Sequence, residues 1–222
     1  ARKAQPWPTP PRYDVATVAK IREIAGEWST FPVAELDLDG RIVRYGVGST
    51  PCRWRVDTLF TKEPGTIDWL HSFTPGDVFV DVGANIGLYS LYAGVIGKAQ
   101  VYAFEPEAQN YVELCRNVML NGADGDIAAY CAAITDRETE FSRLLLSALG
   151  PGLSEHDFGE PSRPRAGKPG PSQGCIGFSL DYLVESKAVP EPDHVKIDVD
   201  GHEGKVVKGM ARLIARGVPR TL

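Results

Sequence analysis

Four short, nearly unbroken apolar runs set the strongest limit on how this chain can fold: VFVDVG from Val78, QVYAFEP from Gln100, DIAAYCAAI from Asp126 and HVKIDVDG from His194. Runs of this length without strict apolar–polar alternation fit strands covered on both faces, and such strands belong to parallel sheets. Helical spacing lies between them, over residues 86–96, 108–120, the segment FSLDYLVES from Phe178, and 205–216. In residues 108–120 the apolar stripe is Tyr111, Leu114, Cys115 and Val118. Strand–helix alternation with short connections predicts an α/β fold with a doubly wound, mostly parallel, Rossmann-like sheet.

Two segments stand outside that rhythm. Residues 1–60 read as an appendage: a proline-rich lead-in over 1–14, a helix over 15–25, and a hairpin over 32–44. VAELDL and RIVRYG alternate apolar with polar residues around Asp39-Gly40, a strong turn dipeptide. This piece carries no obvious chemistry and is expected to cover the main domain, residues 61–222. In residues 150–175, eleven of 26 positions are Gly or Pro. So long a loop inside a compact domain is either functional or a floppy insertion. Lying between the third and fourth strands, it is placed to fold over a ligand, and both readings stay open. Past Val218, where a fifth strand would begin, the C-terminal strands are expected to be missing.

Composition excludes several classes. A net charge of −5 with scattered basic residues argues against a nucleic-acid or anionic-membrane surface. No apolar run approaches the length of a membrane span. ARKAQPWPTPPRYD lacks the apolar segment of a signal peptide. Cys52, Cys115, Cys131 and Cys175 form no CxxC pair, so reduced thiols in a cytoplasmic protein are expected rather than zinc ligands or disulfides.

The motif with most chemistry is Asp81-Val-Gly-Ala-Asn-Ile-Gly87, where the first strand turns into a helix. Glycines 83 and 87 permit positive φ and close approach of a ligand to the backbone. The dinucleotide fingerprint GxGxxG fails at Asn85 and Leu88, and the GK[ST] ending of a Walker loop is absent. Two dozen residues on, Glu105 ends the second strand, where a carboxylate can accept hydrogen bonds from a ribose diol.

GDVFVDVGANIGLYS over 76–90, FEP over 104–106 and KIDVDGHE over 196–203 closely resemble the FkbM family of S-adenosylmethionine-dependent methyltransferases. TKEPGTIDWL upstream and GFSLDYLV downstream resemble it too, so the likeness spans about residues 55–215. It implies a class I methyltransferase fold with S-adenosylmethionine as cofactor. The expected reaction is O-methylation of a hydroxyl on a sugar, glycolipid or natural-product small molecule. On this resemblance Asp81 holds the methionine amino group through water, and Gly83, Ala84, Asn85 and Gly87 form the loop facing the methionine and ribose. Glu105 binds the ribose, Pro106 touches the adenine, and Ala133, with Ala132, reaches the adenine edge. Asp200 departs from the family, which often has Glu there. The rival readings are a non-catalytic S-adenosylmethionine-binding module and a nicotinamide-dependent oxidoreductase.

VKIDVDGHEG, from Val195 to Gly204, gathers three carboxylates and a histidine at the end of the fourth strand, the ligand edge of such a sheet. It does not complete a calcium loop. A divalent metal on Asp198 lacks an identifiable third ligand, so no metal is assigned. Asp200 and Glu203 are expected to cap the helix that begins near Gly201. Asp198 then faces the cofactor or acceptor. His202 is the candidate base, although a solvent-facing position at the helix start explains it equally well. His156 and His194 are weaker candidates, the latter at the far end of the strand.

Overall fold

The computed structural model describes residues 31–38, 40–162 and 170–222. The expected helix over 15–25 and the turn residue Asp39 lie outside these. The hairpin is present as β1 (Val33–Leu38) and β2 (Arg41–Gly46), antiparallel with Val33 opposite Gly46. Two helices follow that periodicity did not reveal, α1 (Thr50–Asp57) and α2 (Pro64–His71). Ser49 caps α1 by accepting the Cys52 N–H at 3.1 Å, and Pro51 fits the first turn, where its missing N–H costs nothing. The helix buries only two residues, Cys52 and Val56, four apart, which is too short a signal to read from sequence.

The central sheet contains β3 (Val78–Val82), β4 (Gln100–Phe104), β5 (Ile127–Tyr130) and β10 (His194–Ile197). All its pairs are parallel, in the order β10-β3-β4-β5. Between them run α3 (Leu88–Leu91), continued by a π-helical turn over Tyr92–Ile96, and α4 (Ala108–Leu120). Alternate strand residues face two separate apolar layers. Phe79, Val101 and Ala103 pack with α3, α4, the hairpin, α1 and α2. Val80, Val82, Tyr102 and Phe104 pack with α5 (Leu180–Glu185), α6 (Glu203–Lys208) and α7 (Ala211–Ala215). Each fully buried Leu or Phe in these layers contributes about 1.5–3 kcal/mol. The doubly wound α/β architecture is therefore present. Thr221 makes a parallel bridge to His194, on the outer side of β10.

Three expectations need correction. First, DIAAYCAAI is not one strand. It breaks at Cys131, and β6 (Ala133–Ile134) pairs instead with β9 (Ser172–Phe178) in a second sheet. Second, residues 150–175 are not one loop. β7 (Thr139–Leu145) pairs with β9 along seven residues and with β8 (Asp157–Phe158), giving the order β6-β9-β7-β8. SQGCIGF has two glycines and little intrinsic strand preference, so its partner rather than its own sequence makes it a strand. Third, the helix expected over 205–216 is two helices. Gly209 lies so close to the Thr135 carbonyl that a Cβ there would sit 2.0 Å from it. The break exposes new N–H groups at the start of α7, and Asp181 accepts those of Arg212 and Leu213 at 3.0 and 2.9 Å. In α4 the buried stripe includes polar Asn110, Glu113 and Asn117 beside Leu114 and Val118, while Tyr111 and Cys115 are half-buried.

Asn117 shows why. Fully buried, it accepts the Gly46 N–H at 2.7 Å and donates to the Ile86 carbonyl at 2.8 Å, tying the hairpin to the turn after β3. Gly209→Ala forces its methyl into the Thr135 carbonyl, and urea unfolding should show a loss of about 1–3 kcal/mol, the usual cost of overpacking.

Candidate active site

The carboxyl ends of β3, β4 and β10 frame one cleft, and the turn after β3 forms its floor. Gly83 has φ +82°, and a Cβ there would lie 2.0 Å from the Asp198 carbonyl oxygen, so only glycine lets the two strand ends meet. The Asp198 N–H donates to the Val82 carbonyl at 3.0 Å, continuing the β3–β10 ladder to the cleft. Asn85, also in the left-handed region at φ 51°, turns its N–H onto Glu105 Oε2 at 2.7 Å.

Glu105 is buried at the end of β4 and also accepts the Glu107 N–H at 2.9 Å. Burial pushes its carboxyl up to about 7 in spite of these two donors. Asp198 goes the other way. Burial alone would raise it, but the Lys196 ammonium 3.1 Å away, with Lys62 and Arg55, brings it below the ordinary carboxylate range. Lys196 is itself buried and lies 4.8 Å from the centre of the Tyr89 ring. Asp81, beside Lys196 in the strand register, is fully buried. Burial raises its carboxyl, opposed by Lys196 and by the Ser90 hydroxyl, which donates to Oδ2 at 2.6 Å. Its Oδ1 has no hydrogen-bond partner among the described residues.

Residues 151–156 cross the cleft and are fastened on several sides. The Leu153 carbonyl accepts from Asn85 Nδ2 at 2.8 Å and Asn110 Nδ2 at 3.0 Å. The Gly152 N–H donates to Asn110 Oδ1 at 2.7 Å, and Arg55 Nε donates to the Gly152 carbonyl at 2.7 Å. Of the two readings for this segment, its first part is therefore a cleft wall, contributing Leu153, Ser154 and His156.

His202 is not solvent-facing. It is buried at the start of α6 and lines the cleft, with Nε2 3.0 Å from Asp157 Oδ1. Asp157 is buried as well, and its Oδ1 also accepts the Ser162 N–H at 2.8 Å. Asp200 does not cap the helix as expected: with φ 53° it turns toward the cleft wall and accepts the Glu155 N–H at 2.7 Å. Glu203 does satisfy a free amide there, accepting from Gly201 at 3.0 Å.

Gly83, Asn85, Glu105, Pro106, Ala133, Asp198 and His202 thus share one cleft, and Ala84 lines its adjoining part. Asp81 stands behind the wall, and Gly87 lines neither part, facing the Leu114 side chain instead. His156 lines the cleft, with Nδ1 accepting the Ser147 N–H at 3.2 Å. His194 sits at the opposite end of β10, between Asp77 and Thr221 and stacked on Phe73. Arg55, Lys62, Asn110, Asp157 and Lys196 were missed. Only Lys196, a cation inside an otherwise apolar strand, carried a signal in the sequence. Among the described residues, no group of three or more His, Cys, Asp or Glu side chains gathers to hold a metal ion.

Residues 81–221 match the Methyltransferase FkbM domain. The chain belongs to the FkbM methyltransferase family. It is a methyltransferase, and its cofactor is S-adenosylmethionine. It is 29% identical to the hexuronic acid methyltransferase AglP of Haloferax volcanii over 80% of this chain and 68% of that protein. It is 28% identical to the methyltransferase sdnD of Sordaria araneosa, over 77% of this chain and 73% of the other. Among solved structures, the precorrin-6y C5,15-methyltransferase of Geobacter metallireducens is similar at 12% identity and a TM-score of 0.40, covering 68% of this chain and 54% of its own.

The cleft of this methyltransferase fits that cofactor. A buried carboxylate at the end of β4 suits a ribose diol, and the Asp198 carboxylate, with the unpartnered Asp81 Oδ1 behind the wall, suits a cationic group. Pro106, Ala132, Ile134, Leu144 and Phe158 supply apolar walls for a flat base.

The raised Glu105 carboxyl has a consequence for the ligand-free fold. A folded value above the ordinary 4.5 means its contribution is fully present below pH about 4.5 and is lost as pH rises through about 7. Between pH 5 and 8 the ligand-free protein should lose stability relative to Glu105→Gln, by at most about 3 kcal/mol, measured by urea unfolding.

Proposed function

We propose that this methyltransferase transfers its methyl group to a hydroxyl of a sugar, glycolipid or related small molecule, with His202 as the base. The observation that carries this reading is the buried His202–Asp157 pair on the cleft wall. A hydroxyl is a poor nucleophile until its proton is removed, and a positioned imidazole is the commonest group for that work. With the Nε2 hydrogen directed at Asp157, the basic lone pair lies on Nδ1, and the carboxylate steadies the ring as it gains charge. Asp198 is a poor base because Lys196 holds it ionised, and its negative charge is better suited to the cationic part of the cofactor. The similarity to a hexuronic acid methyltransferase supports a saccharide acceptor.

S-adenosylmethionine supplies a methyl group on a sulfonium, which is already a good leaving group. The chain's task is therefore alignment, exclusion of water and removal of one proton. In this reading Glu105 accepts the ribose hydroxyls and Pro106, Ala132 and Ala133 contact the adenine. The backbone from Gly83 to Asn85 runs beside the ribose and methionine. Asp81 acts from behind the wall, through water, on the amino group. Gly87 shapes the turn rather than touching the ligand. Residues 151–156 wall off solvent.

At pH 8, where the Glu105 carboxyl is ionised, Glu105→Gln should weaken S-adenosylhomocysteine binding about tenfold or more by calorimetry, since hydrogen bonds to a charged acceptor are lost. His202→Gln and Asp157→Asn should each lower turnover with a saccharide acceptor by about 10²–10⁴-fold while leaving that binding unchanged. Turnover intact in His202→Gln would remove the histidine from the mechanism.

A further inference from the structure

We propose that Arg55 and Lys62 form the subsite for the α-carboxylate of the cofactor's methionine moiety. Both residues lie outside the matched family residues 81–221. Arg55 comes from the front piece to which the sequence assigned no chemistry.

The cleft has two adjoining parts that share Arg55, Lys62, Gly83, Asn85 and Asp198. Glu105 lines only one part; Tyr89 and Lys196 line only the other. The proposal rests on the reading that Glu105 takes the ribose. A cofactor so anchored, with its base toward Pro106 and Ala132, extends its amino-acid end past Gly83 into the second part. That end is a zwitterion. Its ammonium and the adjacent sulfonium are served by Asp198 and, behind the wall, Asp81. Its carboxylate needs donors, and leaving a buried carboxylate without them is expensive.

Among the described residues, three cations line that part: Arg55, Lys62 and Lys196. Lys196 is engaged with Asp198 at 3.1 Å. Lys62 makes an exposed contact with Glu63 at 2.9 Å, a pairing worth little in water and readily exchanged. Arg55 spends Nε on the Gly152 carbonyl at 2.7 Å, and no carboxylate of the described residues pairs with it. That bond aligns the guanidinium while leaving its two terminal nitrogens for a planar, two-oxygen partner. Both cations already act on Asp198, helping to lower its carboxyl. The subsite also links the loop to the ligand: Arg55 holds Gly152, whose neighbour Leu153 is held by Asn85 on the cleft floor.

The test compares two ligands in calorimetric titrations. S-adenosylhomocysteine carries the carboxylate; 5′-methylthioadenosine keeps the ribose and adenine but lacks the amino-acid end. Arg55→Ala/Lys62→Ala should weaken the first by about 10–100-fold and the second by less than about twofold. Binding of 5′-methylthioadenosine also certifies that the variant is folded. Equal losses for both ligands, or no loss for either, overturn the proposal. Loss confined to the acceptor's KM also overturns it and moves the two cations to a carboxylate on the acceptor. Failure of the ribose reading is separate: Glu105→Gln would then leave both ligands unweakened.

Discussion

The close meeting of two strand ends at Gly83 is the constraint on which the rest of the site depends. Because position 83 has no side chain, the Asp198 carbonyl packs directly on the turn after β3. Asp198, Lys196 and Asp81 are thereby brought beside one another in a low-dielectric setting, where the Lys196 ammonium favours the ionised form of both carboxyls. A Cβ at Gly83 would push β10 away and separate the acidic end of that strand from the glycine turn. The parallel ladder places both strand ends on one edge; the missing side chain lets them touch.

A second set of contacts converts that edge into a cleft. Asn85 and Asn110, from two different helix starts, hold the same Leu153 carbonyl, while Asn110 also receives the Gly152 N–H. Side-chain amides suit this work because each offers a donor and an acceptor to an irregular backbone that cannot pair in a sheet. The second sheet serves the same end. By pairing β7 with β8 and β9 it carries Asp157 to His202, joining residues 45 apart in sequence into one buried pair.

The legible parts of this protein were those whose signal is local. The four apolar runs gave the parallel strands, and α4 was bounded correctly because its periodicity is long and strong. Gly83, Asn85 and Glu105 were recognisable because strand-end turns fix their neighbours within a few residues. The failures share a cause. β9 is glycine-rich and becomes a strand only against β7. α6 and α7 are split by the Thr135 carbonyl approaching Gly209, and α1 is too short to show a period. His202 differs from a surface histidine only through the buried contact with Asp157, which comes from a distant segment.

By itself the sequence determined the strand order along the chain of the central parallel sheet, the residue types at its strand ends and the family to which they belong. These depend on hydrophobic period, on glycine's freedom at positive φ and on motif spacing, all short-range properties. Only the tertiary structure decided which charges meet across the fold: Lys196 with Asp81, Asp157 with His202, Arg55 with the loop over the cleft. Their pairing follows from sheet register, helix placement and burial, which arise from contacts between distant segments and leave no periodic trace in the chain.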